Sequence, residues 1–129
     1  MRYAYVDTSC LVATAFGEAR GRRVASLLER YDRLFSDNLL EAELRAAFAR
    51  EGRSGGEERF LAKISWIFPA EALSDEYRAA LEHGGLRGAD LRHVACALYL
   101  GRIFGDVDFL SLDERQVGVA SSAGLATKP

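Results

Sequence analysis

The sequence is poor in the groups that mark many kinds of site. It has two cysteines, Cys10 and Cys96, far apart and without metal-like spacing. Each is expected to act as a small buried hydrophobe rather than a disulfide partner. The two histidines, His83 and His93, stand apart and form no cluster; both read as surface or helix-packing residues. No Cys-x-x-Cys and no glycine-rich phosphate loop occurs. Lysine is confined to Lys63 and Lys128. That argues against a phospho-acceptor signalling domain, which also sets aspartates at strand ends but needs a lysine beside them. No apolar run approaches the roughly 18 residues of a membrane span. The apolar stretch after Met1 is short and Asp7 ends it, unlike a signal peptide. A cytoplasmic protein without membrane contact is expected.

What is present fits one compact unit over residues 1–129. The chain is 49% hydrophobic and 28% charged, ordinary for a globular protein with a core. The net charge of −2 lacks the basic footprint of a typical nucleic-acid binder. Net charge is a poor guide to a local patch, however. Of the 17 basic residues all but two are arginine, whose planar fork matches phosphate. A base-composition bias would give the same count.

Periodicity and capping signals predict the elements. Tyr3–Val6 reads as a buried strand, followed by a helix from Ser9 to about Phe16 capped by Thr8. A second helix runs from Arg20 to about Tyr31, and Arg33–Ser36 is a brief strand. Asn38 and Glu41 suggest a capping box for a helix reaching about Glu51. Further helices are expected over about 57–66 and 74–82, and a long one from Arg87 or Gly88 through Leu100, closed by Gly101. Val107–Leu112 is a clear strand, and Asp113 opens a last helix to about Ala123 with Gly124 as its stop. Leu125–Lys128 could add an edge strand. Strands alternating with helices imply an α/β fold with a mostly parallel sheet covered on both faces.

Four acids stand out because their neighbours are apolar. Asp7 ends the first strand, at the sheet edge where α/β proteins bind ligands; with Thr8 able to cap the next helix, Asp7 is free for another role. Glu43 lies inside the stripe Leu40, Glu43, Leu44, Ala47, Phe48 and so faces the core or a cleft, where an unpaired carboxylate costs several kcal/mol, on the order of 3–5. Asp90 begins the stripe Asp90, Leu91, Val94, Leu98, a place that also suits the helix dipole. Asp113 follows Phe109–Leu112 and makes a D-x-x-Q capping box with Gln116. Asp106 or Asp108 could contribute instead of Asp113; the strand before Asp113 and the helix after it favour Asp113. Hard oxygen ligands converging at one edge suit Mg²⁺ or Mn²⁺, and such a cluster without a cation would repel itself.

These segments resemble the PIN-domain family. Tyr5-Val6-Asp7-Thr8-Ser9 resembles its opening strand and turn. Leu40-Glu41-Ala42-Glu43-Leu44 is similar to its second acidic motif, and Gly88-Ala89-Asp90-Leu91-Arg92-His93-Val94-Ala95-Cys96-Ala97 to its third. Phe109-Leu110-Ser111-Leu112-Asp113 is similar to its fourth, with Ser111 where threonine is more usual. The resemblance spans the chain in order. It implies a three-layer α/β/α fold with a short, mostly parallel sheet and a metal-dependent endoribonuclease. In that reading Asp7, Glu43, Asp90 and Asp113 are catalytic and ligate Mg²⁺ or Mn²⁺, while Thr8, Ser9 and Ser111 support them through hydroxyls. The small size is similar to VapC toxins, which implies an RNA substrate, a homodimer and a VapB-type antitoxin. Arg45, Arg87 and Arg92, near the motif acids in sequence, are candidates for RNA phosphate contacts. The alternative is a catalytically silent PIN-fold module that binds RNA or protein; the presence of all four acids argues against it.

Overall fold

A computed structural model describes residues 1–129. The strands are β1 (Tyr3–Val6), β2 (Arg33–Asp37), β3 (Ile64–Ile67), β4 (Val107–Leu110) and β5 (Ala126–Lys128). The helices are α1 (Thr8–Ala15), α2 (Gly21–Leu28), α3 (Leu39–Arg50), α4 (Glu58–Leu61), α5 (Ser74–Leu81), α6 (Gly88–Phe104) and α7 (Glu114–Ser122). The strands form one sheet in the order β3-β2-β1-β4-β5. Every pairing is parallel, so the sheet is wholly rather than mostly so.

Side chains alternate across a strand, and the two faces bury different cores. Ala4, Val6, Leu34, Ile64 and Leu110 pack with α1, α2, α3 and α4. Tyr5, Phe35, Val107 and Phe109 pack with residues of α5, α6 and α7. The result is a three-layer α/β/α architecture. Cys10 lies in the first core and Cys96 in the second, both as free thiols.

Two expected elements need correction. The helix expected over 57–66 is the short α4 followed by β3, because Ile64-Ser65-Trp66-Ile67 is β-branched and aromatic and alternates between the faces. Ile64 and Trp66 pack in the first core and Ile67 against the second. A short apolar run of this kind fits either period. The long helix does not stop at Gly101 but at Gly105, whose φ of +81° suits glycine and whose N–H reaches Gly101 O at 2.8 Å. The added turn lets the Phe104 ring pack on Tyr3 and Phe35.

The chain lays β2 and β3 on one side of β1, then crosses to β4 on the other. The strand order therefore reverses between β1 and β4. In open parallel sheets, the carboxyl edge at such a point is the crevice where ligands bind.

Candidate active site

The crevice is framed by the N-termini of α1, α6 and α7. Each carries an acid in its cap or first turn: Asp7, Asp90 and Asp113, respectively. The partial positive charge at helix N-termini offsets some of the repulsion among them.

Asp7 is buried at the end of β1, and its carboxylate is held from several sides. Oδ2 accepts from Ser9 N at 3.0 Å, Oδ1 accepts from Gln116 Nε2 at 3.2 Å, and Ser111 Oγ lies 3.4 Å from Oδ2. Asp7 is thus itself the cap of α1, correcting the expectation that Thr8 fills that place. Thr8 is the first helical residue, and its hydroxyl donates to Glu43 Oε1 at 2.7 Å. Ser9 ties the turn after β4 to α1, its Oγ accepting from Leu112 N at 3.0 Å.

Glu43 reaches the crevice from α3, half-buried among the buried Leu40, Leu44, Ala47 and Phe48. Its Oε1 also meets His93 Nε2 at 2.6 Å. His93 is not the isolated residue the sequence suggested. It is fully buried on α6, 2.7 Å from Tyr5 Oη through Nδ1 and 3.9 Å from Asp7 through Nε2. Tyr5 Oη in turn accepts from Asp37 N at 3.0 Å. Burial pushes the imidazole pKa down, but the Glu43 hydrogen bond and the charges of Asp7, Glu43 and Asp37 outweigh it and hold it above the usual 6.5. Burial likewise pushes the Glu43 carboxyl up, yet its bonds from His93 and Thr8 leave it below its ordinary range.

Asp90 has the opposite environment. Its pKa is raised first by burial and then by the charges of Asp7, Asp113 and Glu43, with only His93 opposing. Asp113 caps α7, Oδ1 accepting from Gln116 N at 3.0 Å, while its own N–H donates to Ser111 Oγ at 3.0 Å. The expected capping box is half formed. Gln116 is fully buried, and its side chain turns into the crevice rather than back to the cap. Its amide donates to Asp7 Oδ1 and, at 3.2 Å, to Asp90 O, and its Oε1 accepts from Ser111 Oγ at 2.6 Å. At Asn38 the capping box is absent: its side chain makes no cap bond, and its amide donates to Glu41 Oε1 at 2.9 Å.

The four acids are neighbours without forming a preassembled shell. No three His, Cys, Asp or Glu side chains are disposed to hold an ion together. Glu43 is turned onto His93 and Thr8, and Asp113 onto its own helix. The chemistry of the donor set nonetheless fits a hard divalent cation: oxygen ligands, crowded enough negative charge to push Asp90 up, and one imidazole to balance it. Of the alternatives to Asp113, Asp106 is exposed before β4. Asp108 lies within β4, where it accepts from Tyr31 Oη at 2.6 Å.

The three arginines chosen for nearness to the acids have different surroundings. Arg45 is bound by Glu41 at 2.8 Å and Glu58 at 2.6 Å, with Glu57 at 3.5 Å. Arg92 pairs with the buried Asp37 at 3.1 Å and donates to Tyr77 Oη at 2.9 Å. Arg87 is exposed at the start of α6.

His93, Gln116, Tyr5 and Asp37 are the site residues that sequence reasoning passed over. A signal existed for two of them. His93 precedes Val94 and Ala97 in the buried face of α6, and Gln116 precedes Val119 and Ala120 in that of α7. A polar residue in an apolar stripe is the same mark that singled out Glu43. A second opening, an apolar recess of about 450 Å³ lined by Leu11, Leu28, Leu34, Phe60 and Ile64, contains none of the four acids.

No individual curated protein matches the chain. The PIN domain, whose members are generally nucleases and typically use divalent metal ions, matches residues 4–120, from β1 through most of α7, with all four acids inside the match; the chain belongs to the PIN domain family.

Proposed function

We propose that this chain is an endoribonuclease that depends on Mg²⁺ or Mn²⁺ and acts as the toxin of a VapBC-type pair in the cytoplasm. The observation that carries the reading is that Asp7, Asp90 and Asp113 are neighbours at the reversal point of a parallel sheet, with the Asp90 carboxyl raised by burial and then by the charges of the other acids. Asp7, Asp90 and Asp113 would hold the cation, with Glu43 beside them. When bound, such an ion lowers the pKa of a water and stabilises charge developing on a phosphodiester.

The chain's own residues keep the site in order. Ser9 N and Gln116 Nε2 fix the two oxygens of Asp7. Ser111 positions Gln116 and the Asp113 amide, and Thr8 and Ser9 anchor Glu43 and the turn after β4. His93 and Glu43 share a proton along their 2.6 Å contact, close enough to Asp7 to balance part of its charge. Of Arg45, Arg87 and Arg92, Arg87 is the one without an acid partner, and so the one of the three suited to a substrate phosphate. The resemblance to VapC toxins implies a homodimer silenced by a VapB-type antitoxin, and an acidic crevice suits a partner that presents a basic side chain. No helix is long and apolar enough to cross a membrane.

A PIN fold that grips RNA without cutting it is the competing reading, and the absence of a preassembled ligand shell is what favours it. RNA cleavage in Mg²⁺ or Mn²⁺, with and without EDTA and beside Asp7→Asn, separates the two. The nuclease reading expects metal-dependent cutting that the variant loses. No cutting of a mixed RNA pool by the folded protein would favour the binding module.

A further inference from the structure

An acidic crevice repels a polyanion, so a nuclease with net charge −2 needs cations beside its site to bring RNA to it. A groove of about 560 Å³ lies between α2 and the C-terminal strand, lined by Arg22, Arg23, Ser26, Arg30, Thr127 and Lys128 among others. No acidic side chain lines it. None of its four cations belongs to an ion pair, whereas Arg45, Arg78, Arg92 and Arg102 are all tied to carboxylates. Arg22 and Arg23 are exposed on α2 and Arg30 is exposed just beyond its end, beside Leu27, the one aliphatic side chain of α2 that lines the groove.

The groove opens beside the candidate site. Lys128 pairs with Leu110 at the carboxyl end of β4, and its carbonyl accepts from Ser111 N at 3.1 Å. Ser111 is the residue that touches Asp7 and Gln116. On the α2 side, the Arg20 guanidinium donates to Leu112 O at 3.3 Å, next to Asp113. The cationic strip thus begins within a residue or two of the acids and follows α2 away from them. Its lining has no aromatic ring on which a base could stack. Its chemistry is that of charge and hydroxyls, suited to phosphates rather than base edges.

We propose that the groove between α2 and the C-terminal strand binds the sugar–phosphate backbone of single-stranded RNA flanking the scissile phosphate. The inference rests on the ribonuclease reading above. Arg22, Arg23, Arg30 and Lys128 each neutralise a phosphate, and the contact is indifferent to base sequence.

The test is binding of a labelled single-stranded RNA of mixed sequence, in EDTA to suppress cutting, across a salt series. The triple variant Arg22→Gln/Arg23→Gln/Arg30→Gln is compared with Arg78→Gln/Arg102→Gln, which also removes positive charge but from paired arginines elsewhere. Each phosphate contact to a single strand contributes about 0.7 to the slope of log affinity against log salt. The triple variant should therefore show a slope shallower by about 2 and an affinity roughly 10- to 100-fold weaker at moderate salt, equally for different sequences. The paired-arginine control should change little. Circular dichroism checks that both variants fold, and a single Arg23→Gln, with a slope change of about 0.7, serves if the triple variant does not. Wild-type binding that the triple variant keeps, with the same slope, would overturn the groove while leaving the nuclease standing. A wild-type protein that cuts RNA but binds it with no salt dependence would also overturn the groove alone. A wild-type protein that neither cuts nor binds RNA would remove both. RNA bound through the groove but never cut would remove the nuclease, and with it the groove's place beside a scissile phosphate.

Discussion

The two sides of the crevice are built differently. Asp7 and Glu43 are buttressed: backbone amide, glutamine amide, threonine hydroxyl and imidazole all reach them, and the Glu43 carboxyl is held low. Asp90 and Asp113 are more open, and the Asp90 pKa is raised by burial and then by three like charges. One side is a fixed scaffold stabilised by the fold, and the other carries strain that a cation would relieve. The difference teaches where the fold has compensated the charges of this site and where it has left them to one another.

Removing His93 should have the largest effect on stability. His93→Ala leaves Glu43 and Tyr5 without their buried partner and opens a void. A loss of about 3–4 kcal/mol in urea unfolding is expected. A loss below about 1 kcal/mol would mean that the buttressed side is not held through the imidazole.

Neutralising one acid on each side sharpens the contrast. Asp7→Asn keeps a capping side chain but sets an amide against the Gln116 amide, so the metal-free protein should lose about 1 kcal/mol. Asp90→Asn should instead gain stability in EDTA, by less than about 1 kcal/mol because the group is partly exposed. Thermal melts of the two variants should move in opposite directions; a fall for both would show that Asp90 carries no strain.

The pH dependence has a definite sign. The His93 pKa is raised above 6.5, so its contribution is complete below 6.5 and is lost as pH rises through the folded value. The Glu43 pKa is lowered from 4.5, so its contribution is present above 4.5 and is lost as pH falls through the folded value. Asp90, raised from 3.8, costs stability as pH rises past 3.8, in the same direction as His93. The metal-free protein should therefore lose stability as pH climbs from 6.5, and His93→Gln should flatten that limb. A wild-type limb as flat as the variant's would contradict the pairing.

Metal binding should stabilise the protein in a way that depends on Asp90. Mg²⁺ or Mn²⁺ at about 100 times its dissociation constant adds about 2.7 kcal/mol to the protein that binds it. Asp90→Asn, having neither the strain nor the ligand, should gain much less. An equal upward shift of the melting temperature in the variant would place the ion away from the crevice.

The two sides also differ in how far the sequence revealed them. Asp7 and Asp113 were legible because an acid ending an apolar strand is conspicuous, and Glu43 because it interrupts a helical stripe. Gln116 and His93 carry the same mark, but in sequence they read equally well as a cap partner and a lone histidine. Their roles arise from contacts with residues far along the chain, such as Gln116 with Asp7 and His93 with Tyr5. The parallel α/β fold followed from alternating elements, but β3 was hidden inside an expected helix because its short apolar run fits both periods. Nearness to the acids in sequence selected Arg45 and Arg92, whose guanidiniums are held by carboxylates from other elements. Arg22, Arg23 and Arg30 lie far from most of the motif acids in sequence, and it is the packing of α2 on α1, the Arg20 bond to Leu112 and the pairing of β5 with β4 that bring them close to the site.

The measurement that bears most directly on the central claim is RNA cleavage by Asp7→Asn and Asp90→Asn side by side with wild type, in Mg²⁺ or Mn²⁺ and again in EDTA, each protein checked by its melting curve. The account predicts cutting by wild type alone, abolished by EDTA, and lost in both variants although one is destabilised and the other is not. Wild-type cutting that persists in EDTA, or in either folded variant, would contradict it.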